Sequence, residues 1–275
     1  MTTQNPTAAV LVIGDEILSG RTKDTNTNTI ARFLTAMGID LMEARVVGDR
    51  PEQIIEALNA LRGGHDYVFT TGGIGPTHDD ITADCVAAAF GVDLPEHPDA
   101  VAILVRRYGD DFNAARRRMA RIPAGASLIA NPVTDAPGFQ LDNVFVMAGV
   151  PSIMQGMLQD VAPRLKTGAV VHSGTLKVSG VGEGTVAEIL AEAARANRAL
   201  SFGSYPFGAG TQGAIGTNLV VRGQDESAVA AAVQDLQRTL IEAGVSVTPL
   251  SVSPVRPAGP DERTSDHSHR GERAV

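Results

Sequence analysis

Apolar runs alternate with amphipathic stretches along the first 165 residues of the chain. Residues 8–13 (AAVLVI) are apolar without interruption, which is typical of a strand buried on both faces of a parallel sheet. The same reasoning predicts strands at 39–47, 67–71 and 144–147, and helices at 29–37, 51–62, 80–90, 98–107, 113–121 and 151–165. Strands and helices that alternate in this way predict an α/β domain with a mainly parallel sheet.

The order of the predicted elements changes near residue 168. The pattern then predicts a strand at 170–178, a helix at 183–197, strands at 200–205 and 214–222, a helix at 226–243 and a strand at 245–249. This β-α-β-β-α-β order is typical of a ferredoxin-like domain. We therefore expect an α/β domain at 1–168 and a small α+β domain at 169–250. Residues 251–275 are polar and without periodicity, which predicts a disordered tail.

Composition and net charge indicate which classes of partner the protein can bind. The chain has 275 residues, 43% of them hydrophobic, and a net charge of −8, with a single dense basic run at 116–118 and 121. A protein that binds nucleic acid needs clustered positive charge, so we expect no such partner. The spacing of the basic run predicts either a solvated helix face or an anion contact at the edge of a site.

The same sequence indicates an intracellular protein. Cys85 is the only cysteine and lies in an apolar stretch, so we expect a buried thiol and no disulfide within the chain. No apolar stretch reaches 18 residues, and the first residues lack the basic segment of a signal peptide. We therefore expect no membrane partner and a cytoplasmic location.

A glycine-rich segment, 70–80 (TTGGIGPTHDD), follows the predicted strand 67–71 and precedes a helix. Glycines allow a tight turn and a close approach to a ligand, and the N–H groups of such a turn bind anions. Hydroxyl groups can add further donors. The predicted phosphate-binding residues of this segment are Thr71, Gly72, Gly73, Gly75 and Thr77. The alternative is an ordinary tight turn between strand and helix.

Asp79 and Asp80 end this segment, and bare carboxylates would repel a phosphate. A divalent cation that bridges carboxylate and phosphate removes the conflict, and oxygen ligands suit magnesium or manganese. The alternative is that both residues cap the N-terminus of the next helix. We expect one of them to cap and the other to face the ligand, and Asp80 is the preferred ligand-facing residue.

A second acidic segment, 14–20 (GDEILSG), follows the first strand, with Asp24 and Asn26 beyond it. The carboxyl ends of parallel strands share one sheet edge, so Asp15, Glu16 and Asp24 are expected to face residues 79–80. The alternative is that Asp15 and Glu16 only cap the next turn. A third segment comprises 131–139 and 147–154, and its residues 136–139 (APGF) predict a sharp turn. Gly149 and Ser152 lie at the start of a helix, which predicts a second anion contact there, with an ordinary turn between strand and helix as the alternative.

These segments together resemble the competence/damage-inducible protein A family, through 14–38, 70–82 (TTGGIGPTHDDIT), 136–139 (APGF) and 149–154 (GVPSIM). They are also similar to the molybdopterin-binding domain of human-type FAD synthase and, more distantly, to molybdopterin adenylyltransferases. The resemblance covers 8–249. It implies a three-layer molybdopterin-binding domain of the MoaB/Mog type, followed by the ferredoxin-like domain. Longer family members carry a C-terminal amidohydrolase domain for nicotinamide mononucleotide, which we do not expect here.

The resemblance also implies a ligand. The family binds a nucleotide or pterin phosphate, molybdopterin among them, with a divalent metal such as Mg, Mn or Co. Its members are associated with hydrolysis of the pyrophosphate of ADP-ribose, and the related eukaryotic domain with hydrolysis of FAD. In the family pattern the site is lined by the residues that match Asp15, Glu16, Asp24, Asn26, Gly72, Gly73, Gly75, Thr77, Asp79, Asp80 and Thr82. The third segment departs from that pattern, with MetAlaGly at 147–149 for LeuProGly and ThrAsp at 134–135 for GlyThr.

We therefore expect a metal-dependent nucleotide pyrophosphatase of the ADP-ribose type. Asp80, Glu16 and Asp15 are the expected catalytic residues, and Asp79, Asp80 and Asp15 the expected metal ligands. Two alternatives stay open: a non-catalytic binder of molybdopterin or a nucleotide, and an enzyme that transfers an adenylyl group to molybdopterin. Related proteins are usually oligomeric, so a homodimer is expected.

Overall fold

The computed structural model describes residues 5–208 and 215–254. The first domain is built on a six-stranded sheet in the order β2-β1-β3-β6-β5-β4. Its strands are β1 (Thr7–Ile13), β2 (Asp40–Val47), β3 (Tyr67–Thr71), β4 (Ser127–Ile129), β5 (Gly138–Leu141) and β6 (Val144–Met147). β1, β2, β3 and β6 are parallel, and β5 and β4 continue the sheet antiparallel. The prediction of a mainly parallel sheet is confirmed.

Helices cover both faces of this sheet. They are α1 (Asp15–Leu18), α2 (Asn26–Ala36), α3 (Pro51–Gly64), α4 (Thr82–Phe90), α5 (Pro98–Tyr108), α6 (Ala114–Arg117) and α7 (Pro151–Val161). One core joins Leu11 of β1 to Leu58 and Leu104. A second core, on the other face, joins Val10 to Leu34. Neighbouring residues of one strand thus serve opposite cores, which explains the unbroken apolar run and gives the three predicted layers.

Two helices begin elsewhere than the apolar pattern predicts. α2 begins at Asn26 and not at residue 29, because the Asp24 carboxylate accepts hydrogen bonds from the backbone N–H groups of Asn26 (2.9 Å) and Thr27 (3.1 Å). α4 begins at Thr82 and not at residue 80, because Asp80 belongs to the preceding turn.

The segments 113–121 and 136–141 also differ from the prediction. The helix expected at 113–121 is the one-turn α6 followed by a 3-10 turn at Arg118–Ala120. The sharp turn expected at 136–139 leads into β5, which pairs with β4 at the sheet edge. β4 and β5 have only three and four residues, too few for a period to be visible in the sequence.

The second domain consists of β7 (His172–Ser179), α8 (Glu183–Ala196), β8 (Ser201–Phe207), β9 (Gly216–Gly223), α9 (Glu226–Glu242) and β10 (Ser246–Pro254). Its antiparallel sheet has the order β10-β7-β9-β8. This is the predicted ferredoxin-like arrangement. β10 pairs with β7 as far as Pro254, past the predicted domain end at residue 250. The rest of the predicted tail, 255–275, lies outside the described residues.

Asn5 joins the two domains. Its side-chain oxygen accepts hydrogen bonds from the N–H of Ala169 (2.9 Å) and from the amide of Gln224 (3.1 Å), and its Nδ2 donates to the Ala169 carbonyl (3.3 Å). The Gly168 N–H donates to the Met37 carbonyl beside it (3.1 Å). Asn5 itself is 5% exposed, whereas its partner Gln224 is exposed, so the junction lies at the border between the interior and the surface.

Cys85 lies in the first core with an exposed fraction of 2%, and burial raises the pKa of its thiol to about 11. The prediction of a buried thiol is confirmed. Within the described ranges, every helix is too short or too polar to span a bilayer.

Candidate functional site at the carboxyl edge of the sheet

The carboxyl ends of the four parallel strands meet at one edge of the sheet. The Gly14 N–H, after β1, donates to the Val47 carbonyl at the end of β2 (3.1 Å). The Gly72 N–H, after β3, donates to the Met147 carbonyl at the end of β6 (3.2 Å). All three predicted motifs therefore begin at this edge, as the parallel sheet requires.

Glycine is required at two points of the loop after β3. Gly72 has a φ of 105°, and a Cβ there would collide with the Ile13 carbonyl oxygen. Gly73 has a φ of 67°, and a Cβ there would collide with the Thr82 hydroxyl. Gly72 also lies against Gly149, whose Cβ, if present, would be 3.2 Å from the Gly72 Cα. At Gly72 and Gly73 the loop thus leaves no room for a side chain.

Thr82 holds the shape of this loop through two hydrogen bonds. It is fully buried, and its hydroxyl donates to the Gly72 carbonyl at 2.9 Å. Its backbone N–H donates to the Gly73 carbonyl at 3.1 Å. Thr82, expected to line the ligand site, is therefore engaged in holding the glycine turn.

The same loop offers hydrogen-bond donors. Within the described part of the chain, the N–H groups of Gly73, Ile74 and Gly75 donate to no acceptor. Consecutive unpaired N–H groups of this kind bind anions. The geometry therefore supports the predicted phosphate contact at Gly73 and Gly75.

Asp79 and Asp80 have different surroundings. The Asp80 Oδ2 accepts hydrogen bonds from the Thr77 N–H (2.8 Å) and hydroxyl (2.5 Å), so this carboxylate and Thr77 close a turn on themselves. Asp79 has a side chain that is 60% exposed, with His78 Nδ1 at 3.8 Å. Neither carboxylate caps α4, whose N-cap is Ile81 without a side-chain hydrogen bond, so that part of the expectation is wrong. Asp80, the preferred ligand-facing residue, closes the turn before the helix, and Asp79 is the outward-facing carboxylate. A catalytic role for Asp80 stays a prediction and would use its other oxygen.

At this edge the carboxylates of Asp15, Glu16 and Asp79 lie close enough to a fourth, Asp49, to act on it. Asp49, which follows β2, accepts a hydrogen bond from the Asp15 N–H (2.9 Å). Burial raises the pKa of the Asp49 carboxyl, and the negative charges of Asp15, Glu16 and Asp79 raise it further. Asp49 was missed in the sequence, although Gly48-Asp49 repeats the Gly14-Asp15 pair at the end of the neighbouring strand.

These carboxylates do not form a metal cage. Among residues 5–208 and 215–254, no group of three or more His, Cys, Asp or Glu side chains is arranged to hold a metal ion. Magnesium, however, is commonly held by one or two carboxylates together with phosphates of the substrate. The residues present fit a cation that shares its ligands with a bound phosphate, and they do not fit a cation held by protein alone.

A small cavity opens beside the glycine loop on the α2 and α7 side. It is lined by Glu16, Asp24, Asn26, Thr71, Gly149 and Pro151, among others. The Asn26 Nδ2 donates to the Gly149 carbonyl (2.7 Å), while its Oδ1 has no partner. The Thr71 hydroxyl is also buried without a partner. Since buried polar atoms are nearly always satisfied, these two atoms make the cavity a candidate ligand site.

Hydrogen bonds connect residues 131–136 of the third segment, which departs from the family pattern at 134–135. The Asn131 side chain accepts hydrogen bonds from the N–H groups of Val133 (3.0 Å) and Thr134 (3.1 Å), and donates to the Ala136 carbonyl (2.8 Å). Ser152 is exposed in the first turn of α7. It follows the turn in which Gly149 lies against Gly72.

The basic run does not form one solvated face. Arg117 pairs with Glu96 (2.7 Å) and Arg116 lies over the Tyr108 ring, 4.3 Å from its centre. Arg118 and Arg121 turn towards the glycine loop instead. The interruption of the helix at residue 118 is what separates them, which helical spacing did not reveal.

Comparison with known proteins agrees with this geometry. Residues 9–167 match the family described as a probable molybdopterin binding domain, and residues 170–248 match the middle domain of FAD synthase. The chain belongs to the molybdopterin-binding-domain family. The boundary between the two matched regions lies near residue 168, next to Ala169, which is bound by Asn5.

Several relatives extend this result. A protein of Caldivirga maquilingensis is 31% identical over 88% of this chain and 98% of its own length. A CinA-like protein of Citrifermentans bemidjiense is 41% identical over 66% of this chain but only 46% of its own length. The crystal structure of CinA, of unknown function, from Thermoplasma acidophilum has a TM-score of 0.55 and 36% identity, covering 57% of this chain and 98% of that chain. The predicted family is confirmed, and the chain spans about half the length of its CinA-like relatives.

Proposed function

We propose that this molybdopterin-binding-domain protein binds a phosphate-bearing nucleotide or pterin at the carboxyl edge and hydrolyses a pyrophosphate bond in dinucleotides of the ADP-ribose or FAD type. The observation that carries the proposal is the combination of unpaired donors and unpaired buried side chains around one loop. The N–H groups of residues 73–75 suit a phosphate, while Asn26 and Thr71 offer polar contacts to the attached organic group.

The residues of this edge account for each part of the reaction. A water molecule attacks one phosphorus atom, the P–O bond to the bridging oxygen breaks, and ADP-ribose yields AMP and ribose 5-phosphate. Glu16 or the free oxygen of Asp80 accepts the proton of the water. The loop N–H groups are donors for the charge that develops on the phosphate oxygens. Asp15 and Asp79 would hold a divalent cation (Mg, Mn or Co) jointly with the phosphates, which would lower the repulsion between phosphate and carboxylates.

The decisive experiment follows AMP release from ADP-ribose and FAD with Mg, Mn or Co, with and without chelator. We expect release that needs metal and falls at least about tenfold in Asp80→Asn, because asparagine keeps an acceptor for Thr77 but removes the charge. Asp142→Asn is the matched control, since Asp142 is exposed in the turn between β5 and β6, at the other end of the sheet. Full turnover in Asp80→Asn would reject a catalytic role for that residue.

One observation favours a second candidate, a non-catalytic binder of molybdopterin or a nucleotide. No three metal-ligating side chains of the described residues converge, and Asp80 is engaged in its own turn. This candidate requires measurable ligand binding with no product from any metal and substrate pair. Pyrophosphate release from ATP in the presence of molybdopterin would instead support adenylyl transfer. The homodimer stays a prediction, which equilibrium sedimentation at micromolar concentration tests.

A further inference from the structure

Arg118 borders the glycine loop from the side opposite the Asn26 cavity. It lies in the 3-10 turn after α6, and its Nη2 is 3.4 Å from the Asp80 carbonyl oxygen. Together with Gly73, Gly75 and Arg121 it lines a second small cavity. The loop therefore has one cavity on the α2 and α7 side and another on the α4 and α6 side.

The guanidinium of Arg118 has few hydrogen-bond partners among the described residues. Its Nε is buried without a hydrogen-bond partner, and its one hydrogen bond is long. The other arginines of the basic run each have an acidic partner: Arg117 pairs with Glu96, Arg121 with Asp84, and Arg116 approaches Asp111 at 4.0 Å. Within the described part of the chain, Arg118 alone of this run has no ion pair.

A buried, unpaired donor on a permanent cation is costly, and an anion is the natural partner. Asp80 is close, but its Oδ2 already accepts two hydrogen bonds from Thr77. The unpaired N–H groups of Gly73 and Gly75 border the same cavity as Arg118. An anion at the loop could thus be reached by backbone donors and by the planar fork of an arginine, which matches phosphate oxygens.

We propose that Arg118 binds the second phosphate of a diphosphate ligand and so selects nucleoside diphosphates and their derivatives over nucleoside monophosphates. The inference rests on the proposed function. The nucleoside end occupies the Asn26 cavity, the first phosphate lies at the glycine loop, and the second phosphate crosses the loop to Arg118. A monophosphate ends at the loop and gains little from this arginine.

Calorimetric titration with AMP and with ADP, both in chelator, tests the selection directly. Arg118→Ala is expected to weaken ADP binding by about 10- to 100-fold, as the loss of a charge-assisted hydrogen-bonded pair implies, while AMP binding changes less than about threefold. Arg118→Lys keeps the charge but not the fork and is expected to lie between the wild type and Arg118→Ala. Arg117→Ala is the matched control, since Arg117 pairs with Glu96 on the surface.

Two outcomes overturn the inference in different ways. If the wild type binds both ligands and the ADP-to-AMP ratio is unchanged in Arg118→Ala and Arg118→Lys, the role of Arg118 is rejected while the proposed site stands. Equal weakening of both ligands in both variants has the same meaning, because it indicates support of the loop and not selection. If the wild type binds neither ligand, the proposed nucleotide site fails and the inference fails with it.

Discussion

The side-chain amide of Asn26 donates a hydrogen bond of 2.7 Å to the carbonyl oxygen of Gly149. This bond links the first turn of α2 to the turn after β6, although the two residues are 123 positions apart in the chain. The other end of the same amide, Oδ1, is buried and unpaired in the cavity. One side chain thus joins two motifs and leaves an unpaired acceptor in the cavity.

Asn26→Ala is expected to lower both stability and affinity. The loss of this part-buried bond costs about 0.5–1.5 kcal/mol in the free energy of unfolding, because Gly149 is exposed and its carbonyl can accept from water instead. Urea denaturation measures this loss, and AMP titration should show weaker binding. Asn59→Ala is the control, because Asn59 is exposed on α3. Unchanged AMP affinity in Asn26→Ala would remove Asn26 from the site.

Thr82→Val tests the support of the glycine loop. Valine keeps the shape but leaves the buried Gly72 carbonyl without the hydroxyl donor, so we expect a loss of about 1–3 kcal/mol and weaker phosphate binding. Thr82→Ser keeps the hydroxyl and should lose less. Thermal unfolding of the two variants decides the matter, and equal melting temperatures would show that the hydroxyl is not what holds the loop.

Gly73→Ala and Gly63→Ala form a matched pair. Alanine at residue 73 meets a positive φ and the Thr82 hydroxyl, so it should destabilise the protein by more than about 1 kcal/mol. Gly63 lies in α3 with open space where a Cβ would stand, and alanine there should stabilise by up to about 1 kcal/mol. Urea denaturation measures both changes, and a Gly73→Ala protein as stable as Gly63→Ala would contradict the described loop.

Asp49 makes stability depend on pH. Because burial and neighbouring charges raise the pKa of its carboxyl in the folded state, the folded protein binds this proton more readily than the unfolded chain. The contribution of Asp49 therefore disfavours folding above its folded-state pKa, and this penalty is relieved as the pH falls through that value. Asp49→Asn should be more stable than the wild type at neutral pH, with the difference shrinking in acid.

Denaturation of wild type and Asp49→Asn between about pH 3 and pH 8 measures that difference across the range in which carboxyl groups titrate. Asp142→Asn, at an exposed turn, serves as the control and should show no such trend. A stability difference that grows in acid would contradict a raised pKa at Asp49.

The sequence was sufficient to predict which motifs lie at the carboxyl edge of the sheet. It was insufficient to predict details that depend on the direction of a side chain. The run 8–13 and the glycine segment predicted parallel strands, and parallel strands bring Asp15 and Gly72 to one edge whatever the rest of the chain does. The division of roles between Asp79 and Asp80 depends instead on where the Thr77 hydroxyl points. Asp79 and Asp80 are the same residue type at neighbouring positions, so the sequence pattern does not tell their roles apart and the structure is needed to do so.

Asp49 and Arg118 illustrate the same limit at longer range. Asp49 gains its meaning from Asp15 on the neighbouring strand, 34 residues away in the chain. Arg118 faces the glycine loop because α6 ends one residue before it and the chain tightens into a 3-10 turn. Helical spacing over the whole run groups Arg118 with Arg116 and Arg117, which have surface partners.

The Asn5 junction and the proposed ligand site lie at opposite ends of β1. Asn5 precedes the amino end of β1 and binds Ala169 and Gln224, whereas the motifs of the proposed ligand site follow the carboxyl end. The seven residues of β1 separate these ends by about 23 Å, at roughly 3.3 Å per residue. The attachment point of the second domain therefore lies about the length of one strand away from the proposed ligand site.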